Sequence, residues 1–229
     1  ASAVLAAAIG AVSIRTSGIY FIMITLAFTQ MLYYLGISLD MFGGDDGMRL
    51  KSRSDLGIFD LADPAQFYYF VLALLLAAIY LTQRIVHSRF GAVMRAAKSN
   101  EARTRAIGFS PYPYRLLAFV LAGALGGLAG ALYANHTGYL TPGLMSWQNS
   151  GELMFMVILG GMGSASGPLL GAFAFILVEE LLKGLLDYPA ALFGASHWSE
   201  HWQVVMGPLL VLSVIFFKRG LSGIFSRDA

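Results

Sequence analysis

The segment that decides the fold class is residues 116–137, LLAFVLAGALGGLAGALYANHT, in which no Asp, Glu, Lys or Arg interrupts the apolar run. A helix that crosses the ~30 Å hydrocarbon core of a bilayer needs about 20 predominantly apolar residues. This segment has that length and that composition. It therefore predicts a transmembrane helix.

Further apolar segments indicate that the chain crosses the membrane several times. They lie at residues 18–38, 66–83, 150–163, 167–186 and 202–217, and residues 1–14 look like the end of another span. Hydrophobic residues make up 57% of the chain, charged residues only 12%, and the mean hydropathy is +0.68. Such a composition argues against a soluble enzyme, a disordered chain or a nucleic-acid-binding protein. We predict an all-α polytopic membrane bundle, one transmembrane domain over residues 1–229 with about six or seven spans.

The charged residues predict which loops face which side of the membrane. Residues 84–115 contain seven basic residues and one acidic residue, Glu101, whereas residues 39–65 contain three basic and six acidic residues. Cytoplasmic loops are enriched in Lys and Arg. The first loop is therefore predicted to be cytoplasmic and the second external. Lys218 and Arg219 also fall inside if 150–163 crosses the membrane, and a re-entrant segment there is the alternative.

Several chemistries have no support in the sequence. The chain has no cysteine, which excludes disulfides, a thiolate nucleophile and a Cys-based metal site. It contains no P-loop motif, so we expect it to bind neither ATP nor another cofactor. Because the chain begins with Ala1 rather than Met, we expect further residues before it.

The predicted cytoplasmic loop contains a short basic helix over residues 90–107. Gly108 is a suitable C-terminal cap, and Pro111 and Pro113 prevent the helix from continuing. A basic helix of this kind either lies on anionic lipid or docks on a cytoplasmic partner, and the pattern alone favours neither.

Short motifs in this loop and along the rest of the chain form a recognisable combination. They are RFG at 89–91, RA at 95–96, NE at 100–101, IG at 107–108, LLAF at 116–119, LAGALGGLAGALY at 121–133, Pro142, GE at 151–152, LGGMG at 159–163, GP at 167–168, GA at 171–172, HWQ at 201–203, GPL at 207–209, RTSGIY at 15–20, TLAF at 25–28 and GG at 43–44. In this combination the chain resembles permease subunits of ATP-binding-cassette importers, within them the branched-chain amino-acid permease that pairs with a second, homologous permease.

The resemblance implies uptake of branched-chain or other hydrophobic amino acids across the bacterial inner membrane. The implied partners are cytoplasmic ATP-binding subunits, which would hydrolyse ATP, a second homologous permease, a periplasmic or lipid-tethered substrate-binding protein, and membrane lipid, but no nucleic acid. The chain itself would be a transport subunit and not an enzyme. A urea or short-amide substrate is the alternative within the family.

The resemblance also implies that the loop 84–115 couples the permease to the ATPase. The residues that carry this expectation are Arg95, Asn100, Glu101, Arg103 and Gly108, with Glu101 and Gly108 in the docking element and Arg95 and Arg103 pairing with acidic residues of the partner. The usual motif has Glu-Ala-Ala with a Gly six residues after the Glu. Here the run is EAR at 101–103, and Gly108 follows seven residues after Glu101.

Glycines recur inside the predicted spans, many of them four residues apart. This spacing lets helix backbones pack closely in lipid. The stretch GGMGSASGP at 160–168 should also break a helix, which predicts an inner turn or part of a gate. The glycines predicted to serve packing or gating are Gly123, Gly127, Gly130, Gly160, Gly161, Gly163 and Gly167.

Glu179 and Glu180 lie inside the predicted span 167–186, with Lys183 close behind. Ionisable residues within spans are candidates for a transport pathway or a proton relay. An ion-coupled secondary transporter that uses Glu179 or Glu180 is therefore an alternative to the importer. Lys183 also offers a local partner.

HWSEH at 197–201 matches the H-x-x-E-H pattern of zinc peptidases. An intramembrane zinc peptidase would use His197, Glu200 and His201. Only Asp228 is acidic after this motif, and the predicted topology puts it across the membrane. We therefore predict no metal site and interpret the flanking Trp198 and Trp202 as interfacial aromatic residues.

Overall fold

The computed structural model describes residues 1–39, 43–49, 63–161, 167–193 and 207–208. Most of the predicted span 202–217, the H-x-x-E-H motif, Gly163 and most of the acidic loop lie outside the described residues. The chain divides into two compact units, Ala1–Trp147 and Gln148–Ala229.

The described residues are mainly helical, which confirms the predicted all-α class. The helices are α1 (Ser2–Ser13), α2 (Ile19–Ser38), α3 (Pro64–Val86), α4 (Arg89–Ser99), α5 (Glu101–Ala106), α6 (Pro111–Thr137), α7 (Trp147–Gly160) and α8 (Gly167–Phe193). Two short strands, β1 (Met48–Arg49) and β2 (Tyr139–Leu140), and two 3-10 turns, Gly44–Asp46 and Pro142–Met145, complete the described part. Of its helices, α2, α3 and α6 are long and apolar enough to cross a membrane.

In the first unit, α1 and α6 pack against each other in antiparallel orientation through small residues. A Cβ added to Gly123 would overlap the Cβ of Ala6, and one added to Gly127 would overlap the side chain of Ser2. The opposite end of α1 reaches the start of α6, where the Tyr112 hydroxyl donates to the Ala11 carbonyl at 3.0 Å. Close approach of the two backbones is therefore possible only because these positions lack side chains.

The connecting segments collect at two ends of this unit. At one end β1 pairs with β2 in antiparallel register, Arg49 opposite Tyr139, and the Tyr139 hydroxyl donates to the Asp46 carbonyl. At the other end α4 and α5 lie between the last residues of α3 and the first turns of α6. The described parts of the two loops that the charge pattern assigns to opposite sides of a membrane thus lie at opposite ends of α3.

The second unit contains α7 and α8, whose backbones meet at glycines. A Cβ on Gly160 would overlap the carbonyl of Gly167, and one on Gly171 would overlap the carbonyl of Met156. Beyond this contact, Phe175 and Leu182 are buried against Met156 and Leu159 of α7 and Val178 of α8 itself.

Several helix boundaries differ from the sequence-based prediction. The basic helix predicted over 90–107 is two helices, because the chain is extended at Asn100 (φ −158°, ψ 105°). The helix predicted near 150–163 begins earlier, at Trp147, and ends at Gly160, where Gly161 adopts a left-handed φ of 102°. The following helix continues past the predicted residue 186 to Phe193.

Candidate functional site

The candidate site is the α4–α5 segment, and its first feature is the contact between α4 and the end of α3. Gly91 lies so close to this end that a Cβ would overlap the Val86 carbonyl and lie 2.9 Å from the Ile85 carbonyl oxygen. One turn later the Arg95 Nη1 donates to the same Val86 carbonyl at 2.6 Å. The last carbonyls of a helix have no intrahelical partner and attract cations. Gly91 and Arg95 therefore fix α4 to the C-terminus of α3.

Asn100 forms the junction between α4 and α5. Its backbone N–H donates to the Ala96 carbonyl at the end of α4, and its side-chain Oδ1 accepts from the Arg103 backbone N–H at 2.9 Å. Asn is among the preferred N-cap residues because its side chain satisfies such an unpaired N–H. The buried Thr104 hydroxyl donates to the Asn100 carbonyl at 2.9 Å. Asn100 thus ends one helix and starts the next without leaving these backbone groups unpaired.

Glu101 connects α5 to α6. Its Oε1 lies 2.6 Å from Nη2 of Arg105, one turn along α5, and its Oε2 lies 2.7 Å from Nη2 of Arg115 in α6. The hydrogen bond from Arg115, followed by that from Arg105, lowers the pKa of the Glu101 carboxyl below its ordinary value of 4.5. Since both oxygens are engaged within this chain, Glu101 acts as an internal link between the two helices.

The turn from α5 to α6 has the geometry that the Gly108 prediction requires. Gly108 has a left-handed φ of 96°, its N–H donates to the Arg105 carbonyl, and the Phe109 N–H donates to the Thr104 carbonyl. This hydrogen-bond pair is the Schellman arrangement, in which glycine follows the helix C-cap. Because the turn reverses the chain, Arg115 comes within reach of Glu101.

An aromatic cluster supports the same turn. The ring of Tyr114 lies 5.6 Å from that of Phe90 and 6.5 Å from that of Phe109, measured between centroids. These residues come from α6, from α4 and from the turn after α5. Edge-on and tilted aromatic contacts of this kind add to the stabilisation from burial. The cluster fixes both short helices to the beginning of α6.

A surface of α5 and its following turn remains open. Arg103 and Lys98 are exposed, and Ile107 and Phe109 are 69% and 44% exposed. Arg103 donates its backbone N–H to Asn100, whereas its charged side chain points outward, as a contact with a partner requires. We call Arg103, Ile107 and Phe109 the α5 surface.

Sequence reasoning missed three residues of this site. Gly91 and Tyr114 were not singled out for a role, and Arg115 was counted only as part of the basic loop. Helix spacing gives no signal for the Glu101–Arg115 pair, which is fourteen residues apart. A signal for the break at Asn100 was present, since Asn is a poor residue inside a helix and a good one before it.

The predicted glycines that the structure describes lie in three kinds of environment. Gly123, Gly127, Gly160 and Gly167 lie at helix contacts, and Gly161 has a left-handed backbone. No described residue lies within 4 Å of a Cβ added to Gly130. Within the first unit, Gly123, Gly127 and Gly130 lie further along α6 than the part of this helix that contacts the α4–α5 segment.

Of the two acidic residues in the middle of α8, Glu179 is paired within the helix itself. Glu179 Oε1 lies 2.8 Å from Nζ of Lys183, one turn along the helix, while Glu180 is exposed. Pairs at this spacing satisfy each other on a single helix. Within the described residues, no group of three or more His, Cys, Asp or Glu could hold a metal ion.

Comparison with known proteins now identifies the family. A family model described as the permease component of branched-chain amino acid transport systems matches residues 1–214. The chain belongs to this permease family. The helices α2, α3 and α6, which are long and apolar enough to cross a membrane, agree with membership of a family of membrane proteins.

Three relatives of this chain are also named as permease proteins. The permease is 28% identical over 164 residues to the high-affinity branched-chain amino acid transport system permease protein LivM of Escherichia coli (strain K12), covering 71% of this chain and 36% of that protein. It is 26% identical over 159 residues to the probable LivM of Methanocaldococcus jannaschii, covering 68% and 46%. It is also 29% identical over 206 residues to the autoinducer 2 import system permease protein LsrC of Klebsiella pneumoniae, covering 85% and 54%.

The matched part of the permease thus spans between about a third and about half of the length of these relatives. No solved structure matches it.

Proposed function

We propose that this permease is the transmembrane subunit of an ATP-binding-cassette importer for branched-chain amino acids, and that the α4–α5 segment couples it to a cytoplasmic ATP-binding subunit. The observation that carries the proposal is that this segment is fixed to two different apolar helices. Arg95 and Gly91 fix α4 to the end of α3, and Glu101 fixes α5 to the start of α6. A force on the segment therefore reaches two spans.

The α5 surface is the part that contacts the ATP-binding subunit in this proposal. Ile107 and Phe109 would fill an apolar groove of the partner, and Arg103 would pair with an acidic residue at its rim. The docking role of Glu101 expected from the sequence stays a prediction. Because Arg105 and Arg115 bind its carboxylate, Glu101 also positions α5 against α6 in this proposal.

Transport then requires two conformations of the permease that the ATP-binding subunit binds with different affinity. Closure of the ATPase pair would displace α4 and α5 together, because Asn100 joins them through hydrogen bonds on both sides. The displacement would tilt α3 and α6 and open the pathway outward. This movement requires that the α5 surface stays bound to the ATP-binding subunit while the two ATPase subunits close.

The names of the relatives support the other partners in this proposal. Proteins named LivM and LivH are both similar to this permease, which supports a second homologous permease in the complex. An importer of this class also needs a substrate-binding protein at the external face, and the bacterial inner membrane is the membrane that such a complex occupies. In this topology the α4–α5 end of the first unit is cytoplasmic and the β1–β2 end is external.

The test is charge reversal of Arg103 in the full-length permease, expressed with its ATP-binding subunits and second permease. Arg49 provides the matched control, since it is also exposed but lies on β1 at the opposite end. We expect R103E to reduce both co-purification of the ATP-binding subunits and uptake of labelled leucine, and R49E to leave co-purification unchanged. Equal co-purification of the two variants would refute docking through the α5 surface.

Substrate identity needs a separate measurement. The relative named for autoinducer 2 import shows that this sequence pattern also occurs in a protein named for a different cargo, and urea or a short amide is the other alternative. In reconstituted complexes, unlabelled valine and isoleucine should compete with leucine uptake, and urea and acetamide should not. Competition by urea alone would assign the amide class instead.

An ion-coupled mechanism predicts a different energy source for transport, an ion gradient instead of ATP hydrolysis. Glu179 would have to exchange a proton or ion during transport, although it is paired with Lys183. In the importer, E179Q should leave the dependence on ATP intact, and an uncoupler should not stop uptake into ATP-loaded vesicles. Uptake that an uncoupler abolishes without any requirement for the ATP-binding subunits would favour the ion-coupled carrier.

A further inference from the structure

An open apolar groove runs between α3 and α6 in the first unit. Two cavities form it, of about 790 and 350 Å³, and Leu125 lines both. The larger cavity extends to Phe67 and His136, and the smaller one extends to Val86 and Arg95. The linings of both cavities follow α3, from Pro64 to Val86, and α6, from Ala118 to His136, and they meet at Leu125, so the cavities adjoin along the two helices. Together we call them the α3–α6 groove.

The groove has the length and the lining of a site inside a bilayer. From Phe67 to Val86, at 1.5 Å per residue, α3 rises roughly 30 Å, close to the thickness of the hydrocarbon core. Leu75, Leu125 and Leu128 line it and are 42%, 37% and 44% exposed. Apolar surface of this kind needs an apolar occupant.

The two ends of the groove differ in chemistry. At one end the ring of Phe67 stacks on His136, with centroids 6.1 Å apart and planes 10° from parallel. At the other end stands the Arg95 guanidinium, held in place by the Val86 carbonyl. A guanidinium has five N–H donors, and the hydrogen bond from Arg95 to the Val86 carbonyl uses one of them. Donors therefore remain for a second acceptor.

We propose that the α3–α6 groove binds an anionic phospholipid, with its acyl chains along the groove and its phosphate on Arg95. Charge complementarity favours this occupant. The segment 84–115 has seven basic residues and one acidic residue, and that acid, Glu101, is already paired with two arginines. Basic pockets between spans on the cytoplasmic side, where anionic lipids are found, hold lipid headgroups. The inference rests on the proposed function only in placing α4 on the cytoplasmic side.

The first experiment measures lipid binding to the purified full-length permease, without ATPase or transport. Native mass spectrometry would compare the affinity for phosphatidylglycerol with that for phosphatidylcholine of the same chain length. R95Q removes the charge at the groove. K98Q is the matched control, because Lys98 is exposed on the same helix and outside the lining.

We expect phosphatidylglycerol to bind more tightly than phosphatidylcholine, and R95Q to weaken phosphatidylglycerol binding roughly fivefold, the usual contribution of one basic residue beside anionic lipid. K98Q should change the affinity for phosphatidylglycerol by less than twofold. R95K, which keeps the charge, should bind this lipid as the wild type does. Equal binding of the two lipids, or equal effects of R95Q and K98Q, would overturn the proposal.

A second experiment identifies the occupant in native membranes and does not depend on Arg95. These 229 residues contain no cysteine, so a cysteine at Ala129, which lines the groove, is the one reactive thiol within them. A photo-crosslinker attached there should give a product whose mass increases by one phospholipid. A product linked to another protein subunit would mean that a partner helix fills the groove, and would overturn the lipid assignment even if the transport function holds.

Discussion

Arg115 in the first turns of α6 lies 2.7 Å from the carboxylate of Glu101, the first residue of α5. The second oxygen of that carboxylate is bound by Arg105, whose side chain is 68% exposed against 37% for Arg115. The better-shielded pair is therefore the one that joins two helices. The pair within α5 is open to water, and such pairs contribute little.

This geometry predicts unequal effects of removing the two arginines. R115Q should loosen α5 from α6, whereas R105Q should change little, because an exposed pair is screened by solvent. Thermal unfolding of the purified permease and protease sensitivity of residues 100–110 would measure the difference. In a double-mutant cycle, E101Q and R115Q should be non-additive, as is expected for residues in direct contact. Additive effects would contradict the link.

The same link predicts a dependence on pH. The pKa of Glu101 is lower in the folded protein than its ordinary value of 4.5, so its ionised form favours the folded state at pH above that value. The contribution is lost as the pH falls through the folded-state pKa. The difference in melting temperature between wild type and E101Q should therefore be largest near neutral pH and should shrink below pH ~4.5. A difference that grows on acidification would contradict the assignment.

Gly91 should not tolerate a side chain. G91A places a methyl group against the Val86 carbonyl, so α4 must move away from α3, at a cost of about 1–3 kcal/mol typical of overpacking. G126A is the control, because in the described part of the chain nothing lies within 4 Å of a Cβ at that position. We expect reduced thermal stability and weaker ATPase co-purification for G91A, and a change of less than ~1 kcal/mol for G126A.

The packing of α1 on α6 gives a further comparison along one helix. G123L would push α1 away at Ala6, whereas G130L starts from an exposed position where no described residue lies within 4 Å of the added Cβ. We expect G123L to lower the melting temperature of the isolated permease and G130L to leave it nearly unchanged. Contacts between small residues are a main source of packing between such helices, and only G123L displaces them. Similar losses for both variants would show that the two positions pack equally.

Asn100 should be needed for α5 to form. N100A removes the acceptor for the Arg103 N–H, which typically costs about 1 kcal/mol, while N100D keeps an acceptor. Hydrogen exchange of the backbone amides of α5 would measure the effect directly. We expect faster exchange in N100A and near-wild-type exchange in N100D. Unchanged exchange in N100A would mean that tertiary contacts alone hold the helix.

Features with a local cause were predictable from the sequence. The apolar run 116–137 indicated α6, and Gly108 before two prolines indicated the end of a helix, where the structure has a left-handed glycine. The division at Asn100 was not predicted, because the flanking residues are good helix formers and the capping bond competes with them only weakly.

Contacts distant in the sequence were beyond such reasoning. The pairing of Glu101 with Arg115 depends on a turn that reverses the chain, and the steric role of Gly91 depends on the angle at which α4 leaves α3. Neither leaves a periodic pattern. Spacing alone also could not separate Gly123, which lies at a helix contact, from Gly130, which does not.

The small sheet has a consequence for the biogenesis of the permease. Arg49 of β1 pairs with Tyr139 of β2, and α3, α4, α5 and α6 lie between them in the chain. During synthesis β1 leaves the ribosome long before its partner exists, and domains generally form in the order of synthesis. The pairing therefore comes after α6 has been inserted. A nascent chain halted before residue 139 would expose β1 with a free edge, and protection of residues 48–49 from labelling would report the moment at which the four intervening helices have reached their places.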